Sequence, residues 1–162
     1  MYRANPLFAL LLALVSGTAF ALDSDSMQPI ELAADSVDFN EAKGLSIYKG
    51  DVDLRQGSIR LRGDLVTVYQ DGLDPKKVVA EGRPVKFEQR IDKGQVKGEA
   101  LRVEYEVNSE NIILIGDAVL TQGKDSMRSD RIVYDRINSV VKAGAAAKGK
   151  QRVRITIQPP GK

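Results

Sequence analysis

The chain has 162 residues, with 24 Lys and Arg against 22 Asp and Glu, and it contains no His, Cys or Trp. A charge balance this close to neutral argues against a nucleic-acid partner. Without His and Cys the usual general base, the thiol nucleophile and most zinc ligands are absent, and disulfides are excluded. We therefore expect no metal and no cofactor, and we expect stability to come from strand pairing around a continuous apolar interior.

Residues 1–21 have the features of a secretory signal peptide. Arg3 precedes an apolar run from Leu7 to Phe20, and the segment ends in a small-x-small triplet that suits signal peptidase. The run is too short, and too abruptly followed by acids, for a stable membrane-spanning helix. An uncleaved N-terminal anchor is the alternative. Cleavage after Ala21 would leave residues 22–162 as a single exported domain, and we expect that domain in a bacterial envelope.

The segment from Pro29 to Tyr69 sets the pattern for the rest of the chain. It contains a series of apolar pairs separated by one residue: Ile30 and Leu32, Val37 and Phe39, Leu45 and Ile47, Val52 and Leu54, Ile59 and Leu61, Val66 and Val68. Such a period of two is typical of strands rather than helices. Because no helical period is sustained from Pro29 to Gln158, the sequence predicts an all-β domain.

A glycine-led step, Gly50-Asp51, recurs along the chain. It appears again at Gly82, at Gly116-Asp117 and more faintly at Gly144. A constant offset of 66 residues superposes the first copy on the third together with their apolar flanks. A repeat of about 30 residues, built of short strands and turns, predicts a stacked β architecture.

The hydrophobic pattern predicts the buried face clearly for some of the central strands and leaves it open for others. Pro84 cannot donate to a strand ladder, so either a bulge absorbs a one-residue slip there or the strand presents its other face. The segment from Gly98 to Val107 alternates cleanly. Its predicted apolar face is Leu101, Val103, Tyr105 and Val107. The apolar run from Ile112 to Ile115 predicts a strand covered on both sides.

The C-terminal part of the chain is weaker in pattern. Residues 143–150 are small or polar and predict a loop or a weak strand, whereas Arg152 to Gln158 alternates again and is ended by Pro159. Arg152 and Arg154 would make this a basic edge strand, and basic residues on an edge usually act as guards against aggregation.

Several short motifs occur in a fixed order behind the predicted signal peptide. They are Gln28-Pro29-Ile30, Tyr48-Lys49-Gly50-Asp51-Val52, Gln56-Gly57, Gly63-Asp64, Gly82-Arg83-Pro84 and Gly98-Glu99-Ala100. Their order resembles the OstA-like family of periplasmic lipopolysaccharide-transport proteins over nearly all of Gln28 to Gln158. The resemblance implies an open, slightly twisted β-jellyroll that carries lipopolysaccharide in a hydrophobic interior and joins end to end with similar folds.

The resemblance also implies which residues line the groove for acyl chains. They are Ile30, Phe39, Phe87, Tyr105 and Val107. From the pattern alone, such a face is more often plain core than ligand groove. An interior rich in Val, Ile and Leu nevertheless suits aliphatic chains, since each buried methylene contributes about 0.8 kcal/mol.

An open stack of strands leaves an unpaired strand at each end, and unpaired backbone groups can accept a strand from another molecule. The predicted edge residues are Ile30, Glu31 and Leu32 near the N-terminus, and Val153, Ile155 and Ile157 near the C-terminus. The resemblance implies an inner-membrane transport component at the N-terminal edge, the outer-membrane translocon at the C-terminal edge, and head-to-tail self-association. A simple guarding role for the basic edge is the alternative.

Two other classes of function remain open at this stage. Asp51 with Asp53, and Asp35 with Asp38, are the carboxylate pairs that a polysaccharide-active enzyme could use. Solvated faces and turns explain these acids more simply, since Asp53 is replaced by Val119 in the third copy. A scaffolding β-domain that binds only protein is the other alternative. We expect a carrier of lipopolysaccharide rather than an enzyme.

Overall fold

The computed structural model describes residues 25–92 and 94–159, so the predicted signal peptide lies outside the described residues. These residues form one antiparallel sheet of ten strands. The strands are β1 (Glu31–Ala33), β2 (Ser36–Asn40), β3 (Leu45–Gln56), β4 (Ile59–Asp71), β5 (Asp74–Ile91), β6 (Gly94–Glu106), β7 (Asn111–Gln122), β8 (Asp125–Asp135), β9 (Val140–Ala143) and β10 (Arg154–Thr156). The all-β prediction is confirmed.

The helical elements of the described residues are three 3-10 turns, at Asp25–Met27, Glu41–Lys43 and Gly144–Ala147. None of them is long or apolar enough to cross a membrane. The faintest of the glycine-led steps, at Gly144, begins the 3-10 turn that follows β9, within the segment predicted to be a loop or a weak strand.

The six long strands β3 to β8 pair in chain order, each antiparallel to the next. Both ends of the sheet are branched. At one end β1 and β2 pair with different parts of β3, and at the other end β9 and β10 pair with different parts of β8. The stack does not close on itself, which is the open architecture that the sequence predicts.

The glycine-led steps kink the long strands near their middle. In β3 and β7 the pairing register shifts at Gly50-Asp51 and Gly116-Asp117. The φ angles of the glycines are 81° and 80°, and those of the aspartates are 42° and 48°. The two copies thus share one backbone conformation, and this part of the predicted repeat is confirmed.

A bulge also shifts the register of β5 between Glu81 and Val85, where the Arg83–Pro84 peptide bond is cis. The first of the two alternatives for this strand is therefore correct. A similar shift in β6 overturns one detail of the predicted apolar face, since Leu101 is exposed while Ala100 is buried. The clean alternation in the sequence does not reveal this change of phase.

The register shifts lie at the same level in neighbouring strands and divide the sheet into two halves. Buried residues from before and after the shift, such as Leu61 and Val66 in β4, belong to one hydrophobic cluster. One face of a sheet cannot be buried completely unless something covers it. The sheet therefore folds over along the line of bulges, and its two halves face each other as the layers of a β-jellyroll.

We call the half that ends in β2 and β9 layer A, and the half that ends in β1 and β10 layer B. Each long strand contributes one segment to each layer. The space between the layers is the interior of the protein, and it runs along the stack from the β1/β2 end to the β9/β10 end.

Candidate functional site

The interior is lined mainly by aliphatic side chains, with few aromatic rings. Four of the five residues predicted to line a groove belong to it. Phe87 and Tyr105 are 0% and 1% exposed, Val107 is also buried, and Ile30 packs against the same cluster from its edge. The structure thus brings these four residues together around one apolar volume.

Phe39, the fifth predicted residue, lies in the edge strand β2 and is 62% exposed. Its partner across the β2–β3 ladder is Ser46, which is buried on the interior side of layer A. Directly paired residues lie on the same face of a sheet, so Phe39 faces the interior as well. Val37 lies two residues away on that face and is 55% exposed. The apolar interior is therefore bare at the N-terminal end of layer A.

The C-terminal end of the stack also has a bare apolar patch, and there the patch lies on layer B. Ile155 in β10 pairs with Met127, whose side chain packs against the interior cluster. Ile155 and the following Ile157 are both exposed. The interior thus reaches both ends of the stack, and its bare apolar patch lies on layer A at one end and on layer B at the other.

The edge residues predicted from the sequence lie at or next to the ends of the sheet. Glu31 and Leu32 are in β1, and Ile155 is in β10. The other three, Ile30, Val153 and Ile157, flank these short strands without belonging to them.

The second edge that β2 and β9 form at each end of the sheet has no signal in the sequence pattern. The chain breaks between β1 and β2 at Asp35, whose backbone N–H donates to the carbonyl oxygens of Lys49 and Gly50 at 3.1 Å and 3.0 Å. Because of this break, β1 pairs with β3 on one side of the bulge and β2 pairs with β3 on the other side.

A buried ionic cluster, which the sequence analysis also missed, lies where the free ends of the two layers approach each other. Arg136, 4% exposed at its side chain, donates to Glu110 at 2.9 Å and also bonds Asp25. Asp25 in turn accepts hydrogen bonds from Ser58. Burial raises the pKa of the nearby Tyr105 hydroxyl to about 12, although the charge of Arg136 opposes this shift.

The N-terminal segment, residues 25–30, lies along the end of layer B and reaches layer A through the side chain of Asp25, and we call it the strap. Its backbone is held by Gln56, whose side-chain amide donates to the carbonyl oxygens of Ser26 and Gln28 at 3.3 Å and 2.9 Å. Gln28 also donates its backbone N–H to Asp25. The strap is therefore held on layer B, and its Asp25 links the two layers within the ionic cluster.

Two of the four carboxylates considered for acid-base chemistry, Asp53 and Asp38, are engaged in ion pairs. Asp53 accepts hydrogen bonds from Arg60 and Arg55, and the bond from Arg60 is the main reason that its pKa is lowered. Asp38 forms an exposed ion pair with Lys49 at 2.8 Å. Within residues 25–92 and 94–159, no group of three or more acidic side chains is placed to hold a metal ion.

A basic cleft of about 760 Å³ lies at the C-terminal end of the stack. Its cationic lining residues are Arg128, Lys150, Arg152 and Arg154, with Asp117 as the carboxylate. None of these four cations has an ion pair among the described residues. This end of the molecule therefore presents uncompensated positive charge.

Comparison with known proteins agrees with this architecture. Residues 31–140 match the family described as "LptA/(LptD N-terminal domain) LPS transport protein". The chain is 37% identical to the lipopolysaccharide export system protein LptH of Pseudomonas aeruginosa, over 96% of this chain and 94% of that protein. It is 32% identical to LptA of Haemophilus influenzae, over 94% and 90% of the two chains.

A solved structure is similar over the same region. The crystal structure of LptH from Pseudomonas aeruginosa, described as the LptA-homologous periplasmic component of the lipopolysaccharide transport device, matches with a TM-score of 0.77 and 34% identity. The match covers 84% of this chain and 99% of that one. The sequence motifs, the open β-jellyroll and these relatives agree, and the chain belongs to the LptA/LptD N-terminal-domain family of lipopolysaccharide transport proteins.

Proposed function

We propose that this chain is a periplasmic carrier and bridge for lipopolysaccharide, which moves the lipid from the inner to the outer membrane with its acyl chains held between layers A and B. The observation that carries the proposal is the apolar interior, which runs the length of the stack and is bare at both ends. The predicted signal peptide and the periplasmic setting of the LptH relative support export of residues 22–162 as one domain.

The chemistry of the interior suits acyl chains better than sugars. Its lining is mostly Val, Leu and Ile, which offer apolar area without the hydrogen-bonding groups that orient a saccharide. Each methylene transferred from water to such a surface contributes about 0.8 kcal/mol, so part of one acyl chain supplies several kcal/mol. Binding of this kind is tolerant of chain length, which fits a conduit.

Because Phe87 and Tyr105 are buried, an acyl chain that reaches them must part the two layers. The strands continue from one layer into the other, so parting the layers separates apolar side chains without removing a strand from its ladder. It also breaks the bonds that the strap makes to both layers. The groove residues proposed here, Ile30, Phe39, Phe87, Tyr105 and Val107, would then form one continuous track from the N-terminal end inward.

The ends of the stack are the proposed surfaces for protein partners. The inner-membrane transport component would pair at the β1/β2 end, the outer-membrane translocon would pair at the β9/β10 end, and copies of this chain would associate head to tail. The free backbone edges of short strands favour such pairing. If a second copy continues both layers, β2 of one copy lies beside β9 of the other, and β1 lies beside β10. Each bare apolar patch then meets a covered part of the neighbouring layer.

The test is photo-crosslinking in cells with a photoreactive phenylalanine analogue at Phe39 and, separately, at Phe87. Leu73 is the matched control, because it is 87% exposed but lies in the turn between β4 and β5, away from the interior. We expect lipopolysaccharide adducts at both interior positions and none at Leu73. Adducts with protein alone at all three positions would favour the scaffolding alternative.

A further inference from the structure

Asp25 is bound in the way that proteins bind a free anion. Its carboxylate accepts the backbone N–H of Ser58 at 2.5 Å and the Ser58 hydroxyl at 2.6 Å, and it is also bonded by the Arg136 guanidinium. Ser58 lies in the hairpin turn of layer B between β3 and β4, whereas Arg136 follows β8 in layer A. The three donor groups, two from Ser58 and one from Arg136, come from two distant parts of the chain and converge on one carboxylate.

The donors around this carboxylate exceed what it uses. The Nε of Arg136 has no hydrogen-bond partner among the described residues, although the side chain is almost fully buried. Tyr105, a residue only 1% exposed, places its hydroxyl beside this guanidinium, and the hydroxyl proton has no acceptor within the same set of residues. Buried polar groups are nearly always paired, so a hydroxyl proton without an acceptor, next to the guanidinium that binds the Asp25 carboxylate, indicates a site for an anion with more oxygens.

The donors for this anion lie at the boundary of the apolar interior. Tyr105 belongs to the hydrophobic cluster between the layers, and its hydroxyl lies close enough to Arg136 for the guanidinium to influence its pKa. The strap covers the same place, held by Gln56. An amphiphile with its acyl chains beside Tyr105 would therefore present its polar end to Arg136 and Ser58.

We propose that Ser58, Arg136 and Tyr105 form a binding site for a phosphate group of an acylated glycolipid, and that Asp25 occupies this site until the lipid displaces it. The proposal rests on the proposed function, since it assigns the polar end of the lipid whose chains lie in the interior. Guanidinium groups and backbone N–H groups are the donors that proteins use for phosphate.

Displacement of Asp25 follows from the charges. Arg136 is the cation between the two carboxylates of Asp25 and Glu110. A phosphate added beside them would place a third anionic group around one guanidinium in a poorly hydrated setting, where like charges repel strongly. Exchange of phosphate for Asp25 avoids this repulsion and frees the strap at the same step, so that binding of the head group and opening of the layers are coupled.

The test compares two forms of lipid A with identical acyl chains, one diphosphorylated and one fully dephosphorylated, by binding to the purified exported chain. For Asp25→Asn we expect affinity for the diphosphorylated form to rise about tenfold, because a competing charged hydrogen-bond acceptor is removed. Affinity for the dephosphorylated form should stay within about twofold. Asp92→Asn is the matched control, since it makes the same charge change at an exposed site in a nearby hairpin turn.

Ser58→Ala and Arg136→Gln test the donors from the other side. Both substitutions should reduce the preference for the diphosphorylated lipid. Ser58→Ala removes only the hydroxyl and keeps the backbone donor, so it provides the test if Arg136→Gln does not fold. Inorganic phosphate alone, titrated against Asp25→Asn, distinguishes a free ion from a lipid head group, and tight binding of the ion would overturn the lipid assignment.

The outcomes separate this proposal from the proposed function. If Asp25→Asn strengthens binding of both lipids equally, Asp25 merely latches the strap and no phosphate site exists. If the wild-type chain binds neither lipid, the carrier function itself is wrong. Support requires a change in the preference between the two lipids, in opposite directions for the Asp25 and Ser58 variants.

Discussion

At the scale of single residues, Gly98 reports how tightly the interior is packed. It pairs with Phe87 across the β5–β6 ladder, and an added Cβ would lie 2.6 Å from Cδ2 of Leu114 and 3.2 Å from Cδ1 of Phe87. We expect Gly98→Ala to lower the free energy of unfolding by about 1–3 kcal/mol, because an extra methyl in a packed core forces its neighbours to move. Urea denaturation measures the loss.

Lys97→Ala is the control for this prediction, since Lys97 is the exposed neighbour of Gly98 on the outer face. Its effect should stay within about 0.5 kcal/mol. A Gly98→Ala protein as stable as the wild type would contradict close packing. It would show instead that the layers separate easily enough to accommodate a methyl group without an acyl chain.

Tyr105 makes the stability of the fold sensitive to alkaline pH. Burial raises the pKa of its hydroxyl from the usual 10 to about 12 and also raises the pKa of Tyr134. Between pH 10 and 12 the unfolded chain ionises its tyrosines while the folded chain holds Tyr105 neutral, so stability falls as pH rises through this window. Tyr105→Phe should therefore lose less stability than the wild type between pH 10 and 12.

Thermal denaturation at several pH values measures this difference. Tyr69→Phe serves as the control, because Tyr69 is exposed and its loss removes a hydroxyl without changing the interior. Tyr134 remains in the Tyr105→Phe variant, so part of the alkaline loss should persist. Equal slopes for the wild type and Tyr105→Phe would mean that the hydroxyl is hydrated in solution.

At the scale of the strands, Asp51 and Asp117 hold the kinks of β3 and β7. Both have positive φ angles, a conformation that Asp tolerates and that β-branched residues strongly disfavour. We expect Asp117→Val to destabilise the fold by about 1–2 kcal/mol, whereas Asp117→Gly should be neutral or slightly stabilising. Chemical denaturation of the pair measures the contrast. Equal stabilities would show that the kink relaxes when its left-handed residue is replaced.

The strands of this fold could be predicted because their signal is local. A period of two in the sequence reflects alternation of neighbouring side chains, and it correctly placed Val103, Tyr105 and Val107 on one buried face of the segment from Gly98 to Val107. It failed at Leu101, because a bulge changes the phase of the alternation without changing its pattern. That Tyr105 and Val107 contact a ligand remains a prediction.

Contacts between distant segments could not be predicted in this way. Asp25 is separated from Ser58 by 33 residues and from Arg136 by 111 residues, and no repeat or spacing relates the three. The second edge at each end was missed for a similar reason. Only the bulge in β3, together with the hydrogen bonds of Asp35, decides that β1 and β2 share one partner strand.

At the scale of the whole molecule, the open stack exposes its free backbone edges and its apolar interior at the same two ends. The same ends that expose free backbone edges also expose the apolar interior, at Phe39 on layer A and at Ile155 on layer B. Strand pairing between copies would therefore extend the sheet and the interior together. Charge favours the same head-to-tail order, because the basic cleft lies at the C-terminal end and the edge strand β1 at the other end carries Glu31.

Ile155→Pro tests whether the C-terminal edge carries this assembly. Proline removes a backbone donor and fixes φ, and β10 is only three residues long, so the substitution should disrupt this edge strand while the six long strands remain paired. We expect the variant to lose end-to-end association in sedimentation velocity measured over a range of concentrations, with binding of an acyl-chain probe nearly unchanged. Ile155→Val is the control, because it keeps both the backbone donor and an apolar side chain at this position. If Ile155→Pro still associates with its fold intact, pairing through β10 is the wrong mechanism and β9, the other edge at this end, is the strand to which the next copy must bind.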